Sequence, residues 1–155
     1  MKLNIAALSL AVGMLFMAAS AQAQSLKEVT AEGNKVYVEI VDEFAGTDDA
    51  FPQDEWDDVT NIVAEAGGWE LVKTPEEADF IFHVDVKKKV VMFSPRTWLT
   101  PSILLKDGTE LWKSKTFIGD ADVTNGFRAT NAALAKMLKK GFGKDLFPKI
   151  GRSSD

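Results

Sequence analysis

The sequence predicts a single α+β domain of two layers, a mixed and mainly antiparallel sheet of four to six strands with two helices packed on one face. Three observations carry that prediction. From Phe80 to Val86 apolar and other residues alternate with a period of two, as a half-buried strand requires; Asp54 to Ala66 repeats apolar residues at helical spacing; and Asp107-Gly108 divides two strand-like runs as a hairpin turn does.

The first 23 residues read as an address, not as part of that fold. Lys2 is followed by the apolar run Ile5 to Ala19 and by Ala21-Gln22-Ala23, a small-x-small cleavage site, so residues 1–23 are expected to be a signal peptide and the protein to be exported, periplasmic or extracellular. Cleavage would leave Gln24 first. With no cysteine anywhere in the chain, no lipid anchor is expected there. The apolar run is short for a stop-transfer anchor and nothing downstream approaches bilayer-spanning length, so no integral membrane segment is expected after cleavage.

The remaining 132 residues are the length of one domain, which buries roughly two-thirds of the surface its unfolded chain exposes. Zero cysteines exclude disulfides, leaving packing to stabilise the fold, with four Trp and, of the ten Phe in the chain, all but Phe16 of the leader as core material. The net charge of −5, or −6 once Lys2 is removed, argues against nucleic acid as a partner.

Residues 24–34 form a polar lead-in to the domain proper, residues 35–148. Val36 to Val41 reads as the first strand, with Val36, Val38 and Ile40 on one face. Asp42 to Asp58 then holds eight acidic and no basic residues. Its start is a loop through Gly46 and Pro52; its end opens the helix Asp54 to Ala66, where Trp56, Val59, Ile62 or Val63, and Ala66 share a face and Gly67-Gly68 stops the chain. Acidic residues in a first turn complement the positive end of the helix dipole, which explains much of this acidity. Trp69 to Val72 is a short second strand. Thr74-Pro75-Glu76-Glu77 has the pattern of a single capped helical turn, with Thr74 as cap and Pro75 where no donor is needed.

The strand from Phe80 is the strongest in the chain. Lys87-Lys88-Lys89 interrupts its pattern before Val90 to Phe93, so it either continues through a bulge or ends there. Pro95 and Pro101 bracket Trp98 in a segment that reads as an edge strand or loop, because proline withholds a ladder donor. Ser102 to Lys106 and Thr109 to Ile118 form a hairpin, for which Asp107-Gly108 suits a type I′ turn. The last helix runs from Gly126 to Lys140, capped by Thr124 or Asn125, and buries Phe127, Ala133, Leu134, Met137 and Leu138. Gly141 and Gly143 are expected to break it, Leu146-Phe147-Pro148 to fold back over apolar surface, and residues 149–155 to fray.

Chemistry-bearing patterns are sparse. His83 is the sole histidine, which removes two-imidazole metal sites; no G-x-S-x-G elbow supports a Ser–His–Asp triad, and a mid-strand histidine is ordinarily a packed sheet residue. The acidic stretch offers Asp48, Asp49, Asp54, Glu55, Asp57 and Asp58 as oxygen donors to Ca²⁺, but the D-x-D-x-D-G register with its closing glutamate is missing. No catalytic residue, cofactor or metal ligand is therefore assigned. The basic, aromatic, proline-bounded group Lys88, Lys89, Arg96 and Trp98 is the candidate partner-binding surface, weighed against the reading that lysines and prolines there protect a sheet edge from aggregation.

Three segments also resemble a group of bacterial envelope domains: Glu77-Ala78-Asp79-Phe80-Ile81-Phe82, Leu105-Lys106-Asp107-Gly108-Thr109-Glu110-Leu111-Trp112, and the closing Ala/Leu/Lys helix. Across most of residues 35 to 148 the chain is similar to small secreted or lipoprotein α/β domains such as the TolB N-terminal domain and the LpoB penicillin-binding-protein activator. The resemblance implies a helix-covered mixed sheet that binds other proteins and does not catalyse a reaction. It departs in lacking the lipid-bearing cysteine and a following propeller domain, and it transfers no binding residue, since Asp79, Asp107, Gly108 and Trp112 read as turn, hairpin and core. The expectation is an exported, soluble, non-enzymatic interaction domain with another envelope protein as partner; a small envelope hydrolase and a small-ligand-binding protein are the alternatives.

Overall fold

The computed structural model describes residues 24–47, 50–122 and 128–153. The elements are α1 (Leu26–Val29), β1 (Lys35–Asp42), α2 (Gln53–Gly67), β2 (Glu70–Leu71), a 3₁₀ turn (Pro75–Glu77), β3 (Phe80–Val91), β4 (Ser94–Leu104), β5 (Glu110–Lys113), β6 (Phe117–Asp120), α3 (Ala129–Lys136), a π-helical segment (Met137–Leu146) and α4 (Phe147–Ile150). The six strands form one mixed sheet in the order β2-β1-β3-β4-β5, with β6 also on β4. Both β2 and β3 run parallel to β1, and all pairings beyond β3 are antiparallel. The expected α+β domain is this structure.

Period-two alternation makes the sheet one-sided. Val36, Val38, Phe80, Phe82, Val84, Val86, Leu99 and Ile103 point to the helix-covered face and are buried. Against them pack Val59 and Val63 of α2, Ala133 and Leu134 of α3, and Met137, Phe142 and Leu146. Trp69 sits edge-on to Phe80 with centroids 5.0 Å apart, and Phe82 and Phe142 are 5.4 Å apart; each such pair adds about 0.5–1.5 kcal/mol beyond its buried area. The Trp69 indole N–H donates to the carbonyl of Thr30 at 2.9 Å, which joins the lead-in to the core.

α2 begins and ends within a residue of its expected bounds, stopped by Gly68 in the left-handed conformation. The acidic loop before it is closed by one of its own side chains. The Asp42 carboxylate accepts the backbone amides of Phe44 and Phe51 at 3.0 and 2.7 Å. The single turn at Pro75 forms, but Thr74 makes no side-chain cap. The lead-in is more ordered than its polarity suggests, since Ser25 and Glu28 form a reciprocal capping box on α1 and Val29 is buried.

Four readings of the sequence are corrected. First, β3 runs unbroken through the lysines to Val91, and its eleven-pair ladder with β4 places Lys87 opposite Trp98 and Lys89 opposite Arg96. Second, β4 is a central strand, flanked by β3 on one side and by β5 and β6, end to end, on the other. Its prolines are tolerated for a local reason. The carbonyls of Pro101 and Pro95 accept from Ser114 and Ala121 on the β5/β6 side. A strand residue's nitrogen faces the same side as its carbonyl, so the missing donors fall in the gap between β5 and β6 and just past the end of β6. Edge protection therefore does not describe β4, although β1 ends opposite Val86 and leaves the lysine stretch of β3 without a described neighbour on that side.

Third, the hairpin at Asp107-Gly108 is real but is not type I′. Only Gly108 has positive φ, the Gly108 amide donates to the Leu105 carbonyl, and Leu105 and Thr109 are paired, which is a type I turn closed by a left-handed glycine. Fourth, Gly141 and Gly143 do not end the last helix. The helical path widens into the π segment and continues to Ile150, with the Phe147 amide reaching back five residues to Phe142. A β-carbon on Gly141 would lie 3.0 Å from the Phe117 ring, so glycine here permits close packing against β6. The expected caps Thr124 and Asn125, the helix start at Gly126, and buried Phe127 lie outside the described residues. Beyond Pro148 the chain does not fray at once: Ile150 is buried, and Arg152 donates to the carbonyls of Gly67 and Thr30 at 2.6 and 3.1 Å.

Candidate interaction surface

The helices occupy one face of the sheet and leave the other bare among the described residues. That bare face carries Tyr37, Glu39 and Val41 of β1, Ile81, His83, Asp85, Lys87 and Lys89 of β3, Arg96, Trp98, Thr100 and Ser102 of β4, and Ile118 of β6, as the registers dictate. Of the four residues singled out from the sequence, Lys89, Arg96 and Trp98 meet here. The Arg96 guanidinium lies 5.9 Å from the centre of the Trp98 ring, within cation–π range, and forms an ion pair with Asp120 on β6. Beside Trp98 is a shallow depression of about 470 Å³, lined by Val41, Glu43, Asp85, Lys87, Thr100 and Thr116. Lys87 pairs with Glu43 at 3.1 Å and lies over the Phe44 ring.

Lys88 does not join them. Strand parity turns it to the helix-covered face, where it forms an ion pair with Glu55 of α2. The same carboxylate accepts the Thr130 hydroxyl of α3, which lies 3.2 Å from the Thr97 hydroxyl of β4. This chain of contacts ties β3, β4, α2 and α3 together around a cavity of about 300 Å³, so Lys88 belongs to the architecture.

His83 sits in the middle of the bare face, with Nδ1 2.6 Å from Glu39 and Nε2 3.1 Å from Asp85. Burial disfavours its charged form, but the hydrogen bonds and charges of the two carboxylates together outweigh that effect and raise its pKa above the ordinary histidine value. Ser102 faces His83 across the ladder. With a carboxylate on each ring nitrogen, the charged imidazole donates on both sides, and neither nitrogen is directed at that serine. No three His, Asp or Glu side chains are placed so that they could hold a metal ion among the described residues; Asp48 and Asp49 lie outside them.

The feature that sequence reasoning missed is the turn of the β3–β4 hairpin. Met92 and Phe93 form it, both with left-handed backbone at φ 51° and 69°. Their side chains are 90% and 101% exposed, and Val90 is 57% exposed. The available signal was the Val90-Val91-Met92-Phe93 run itself, of which only Val91 is partly buried.

No family model matches the chain, and no curated protein matches it. Solved structures do. A point variant of PelC from Paraburkholderia phytofirmans, solved as a dodecamer, is 15% identical, with 70% of this chain and 84% of that one covered at a TM-score of 0.50. An uncharacterized lipoprotein B from Nitrosomonas europaea is 17% identical over 80% of this chain and 84% of that one, with a TM-score of 0.39. Lipoprotein GNA1162 from Neisseria meningitidis is 10% identical over 69% of this chain and 99% of that one, with the same score. At such identities the likeness is one of fold. That likeness singles out neither the TolB N-terminal domain nor LpoB.

Proposed function

We propose that this protein is an exported, non-enzymatic interaction domain that receives a protein partner on the bare face of its sheet, centred on Trp98. The observation that carries the reading is the uncovered face itself: a one-sided sheet with a tryptophan, a neighbouring arginine and a depression where a second layer would lie. Its mixture of aromatic, aliphatic and paired charged side chains suits a protein surface. The occupied nitrogens of His83 weigh against the hydrolase alternative, because the sole imidazole is committed to Glu39 and Asp85. No helix among the described residues is long and apolar enough to cross a membrane.

The test is affinity capture from an envelope extract with the mature wild-type chain and with Trp98→Ala. A discrete protein retained by the wild type and lost by the variant, at an unchanged melting temperature, is the expected result. An identical set of captured proteins would remove Trp98 from the surface. Hydrolysis of a substrate panel that disappears in folded His83→Ala would replace the reading altogether.

A further inference from the structure

The tip of the β3–β4 hairpin lies beyond the end of the bare face, with Lys89 and Arg96 at the junction of the two. Met92 and Phe93 are the most exposed large apolar side chains among the described residues, and both adopt a left-handed backbone that asparagine and glycine take without strain and bulky L residues do not. The fold therefore loses on two counts at these positions. It gains no packing contact in return.

The tip is presented firmly. Eleven register pairs stiffen the ribbon, the Lys88–Glu55 pair holds one strand near its end, and the Ser94 hydroxyl donates to the Ala121 carbonyl on the other. Behind the apolar tip the ribbon is basic: no acidic residue occurs between Asp85 and Asp107, whereas Lys87, Lys88, Lys89, Arg96 and Lys106 do. Lys89 and Arg96 face each other across the ladder, each three residues behind the turn, or about 10 Å at the rise of a strand. Elements that lie in a membrane interface bury apolar side chains about 5–10 Å into the headgroup and acyl boundary, with cations above them. The spacing matches.

The shape decides between a bilayer and a protein. A convex tip needs a preformed pocket in a protein partner, whereas a fluid bilayer surface closes around it. Lys89 has no ion-pair partner among the described residues, and the exposed Arg96–Asp120 pair is of the weak surface kind that a phosphate can displace. We infer that Val90, Met92 and Phe93 insert into the surface of an anionic phospholipid bilayer, with Lys89 and Arg96 at the headgroup phosphates, so that the hairpin docks the domain peripherally on a membrane.

The experiment is co-sedimentation of the mature chain with vesicles of mixed phosphatidylglycerol and phosphatidylcholine, and with phosphatidylcholine alone. The wild type is expected to bind the mixed vesicles and to bind the neutral ones more weakly. Met92→Asn/Phe93→Gly, which suits the turn, is expected to bind the mixed vesicles at least about tenfold less with no loss of melting temperature, because two large apolar side chains are removed from the buried tip. Lys89→Glu is expected to narrow the preference for the anionic vesicles. Wild-type protein that sediments with neither vesicle overturns the proposal, as does a double variant that binds as well as wild type. A self-associating wild type that becomes monomeric in the double variant, with no vesicle binding by either, would assign the tip to a second copy of the chain.

Discussion

Replacing Gly119 by alanine should be among the most damaging one-carbon changes available in this protein. Gly119 lies on β6, and its backbone has no positive φ, so conformational freedom is not the issue. Space is. A β-carbon there would lie 2.0 Å from the Ala129 carbonyl oxygen, 2.4 Å from the Ala133 nitrogen and 3.0 Å from the Ala133 β-carbon. Two of the three obstacles are backbone of α3 and cannot rotate away, so α3 and β6 must separate by roughly 1 Å to restore ordinary contact, beyond what a core absorbs without loss. Overpacking costs about 1–3 kcal/mol, and an immovable backbone places this case near the upper figure. With a urea slope of about 1.5 kcal/mol per molar, the unfolding midpoint should fall by about 2 M at an unchanged slope. Gly108→Ala is the control: its β-carbon meets nothing within 4 Å, so the cost is only that of a left-handed alanine, about 1 kcal/mol. A Gly119→Ala midpoint no lower than that of Gly108→Ala would refute the close approach of β6 and α3.

Further outcomes follow from the same contacts. A raised His83 pKa means that the folded state binds the proton more tightly, so its contribution is full below the unfolded value of about 6.5 and is lost as pH rises through the folded value. Melting of His83→Gln beside wild type should accordingly show a larger deficit at about pH 5.5 than at about pH 8.5; a constant difference would contradict the two-carboxylate arrangement. Arg152→Ala removes charged hydrogen bonds to Gly67 and Thr30 and a stack on Phe147, and should cost about 1.5–3 kcal/mol in denaturant unfolding. Arg152→Lys should recover only part, since an ammonium cannot reproduce the fork. Phe142→Ala, in the centre of the aromatic cluster, should lose about 3–5 kcal/mol while circular dichroism retains the helical signal; a smaller loss would show that the π segment does not carry core packing.

What the sequence made legible was whatever rests on periodicity. The alternation at Phe80, Phe82, Val84 and Val86 marked β3 because those side chains meet one core, and the 3.6-residue recurrence with Gly67-Gly68 marked α2. The readings that failed concern residues whose customary role was overridden by a neighbour. Pro95 and Pro101 conventionally signal an edge, yet the end of β6 and the break between β5 and β6, respectively, let them stand inside a sheet. Gly141 and Gly143 conventionally stop a helix, yet the ring of Phe117 lies where a side chain on Gly141 would go, and the helical path runs on through both. Met92-Phe93 has none of the Asn, Asp or Gly that announces a tight turn, so the longest hairpin in the fold was hidden. The candidate group was half visible: Lys89, Arg96 and Trp98 converge, while strand parity sends Lys88 inward.

The two prolines of β4 have one more consequence, which concerns the molecule while it is partly open. Were β5 and β6 to peel away, β4 would offer its outward donors to another chain from positions 95, 97, 99, 101 and 103, the residues of one parity. Pro95 and Pro101 leave two of those five rungs empty. A foreign strand could not extend a continuous ladder along that row, so a breathing or half-folded molecule makes a poor seed for fibril growth. Prolines that guard no edge of the finished sheet thus guard the edge that exists before it is finished.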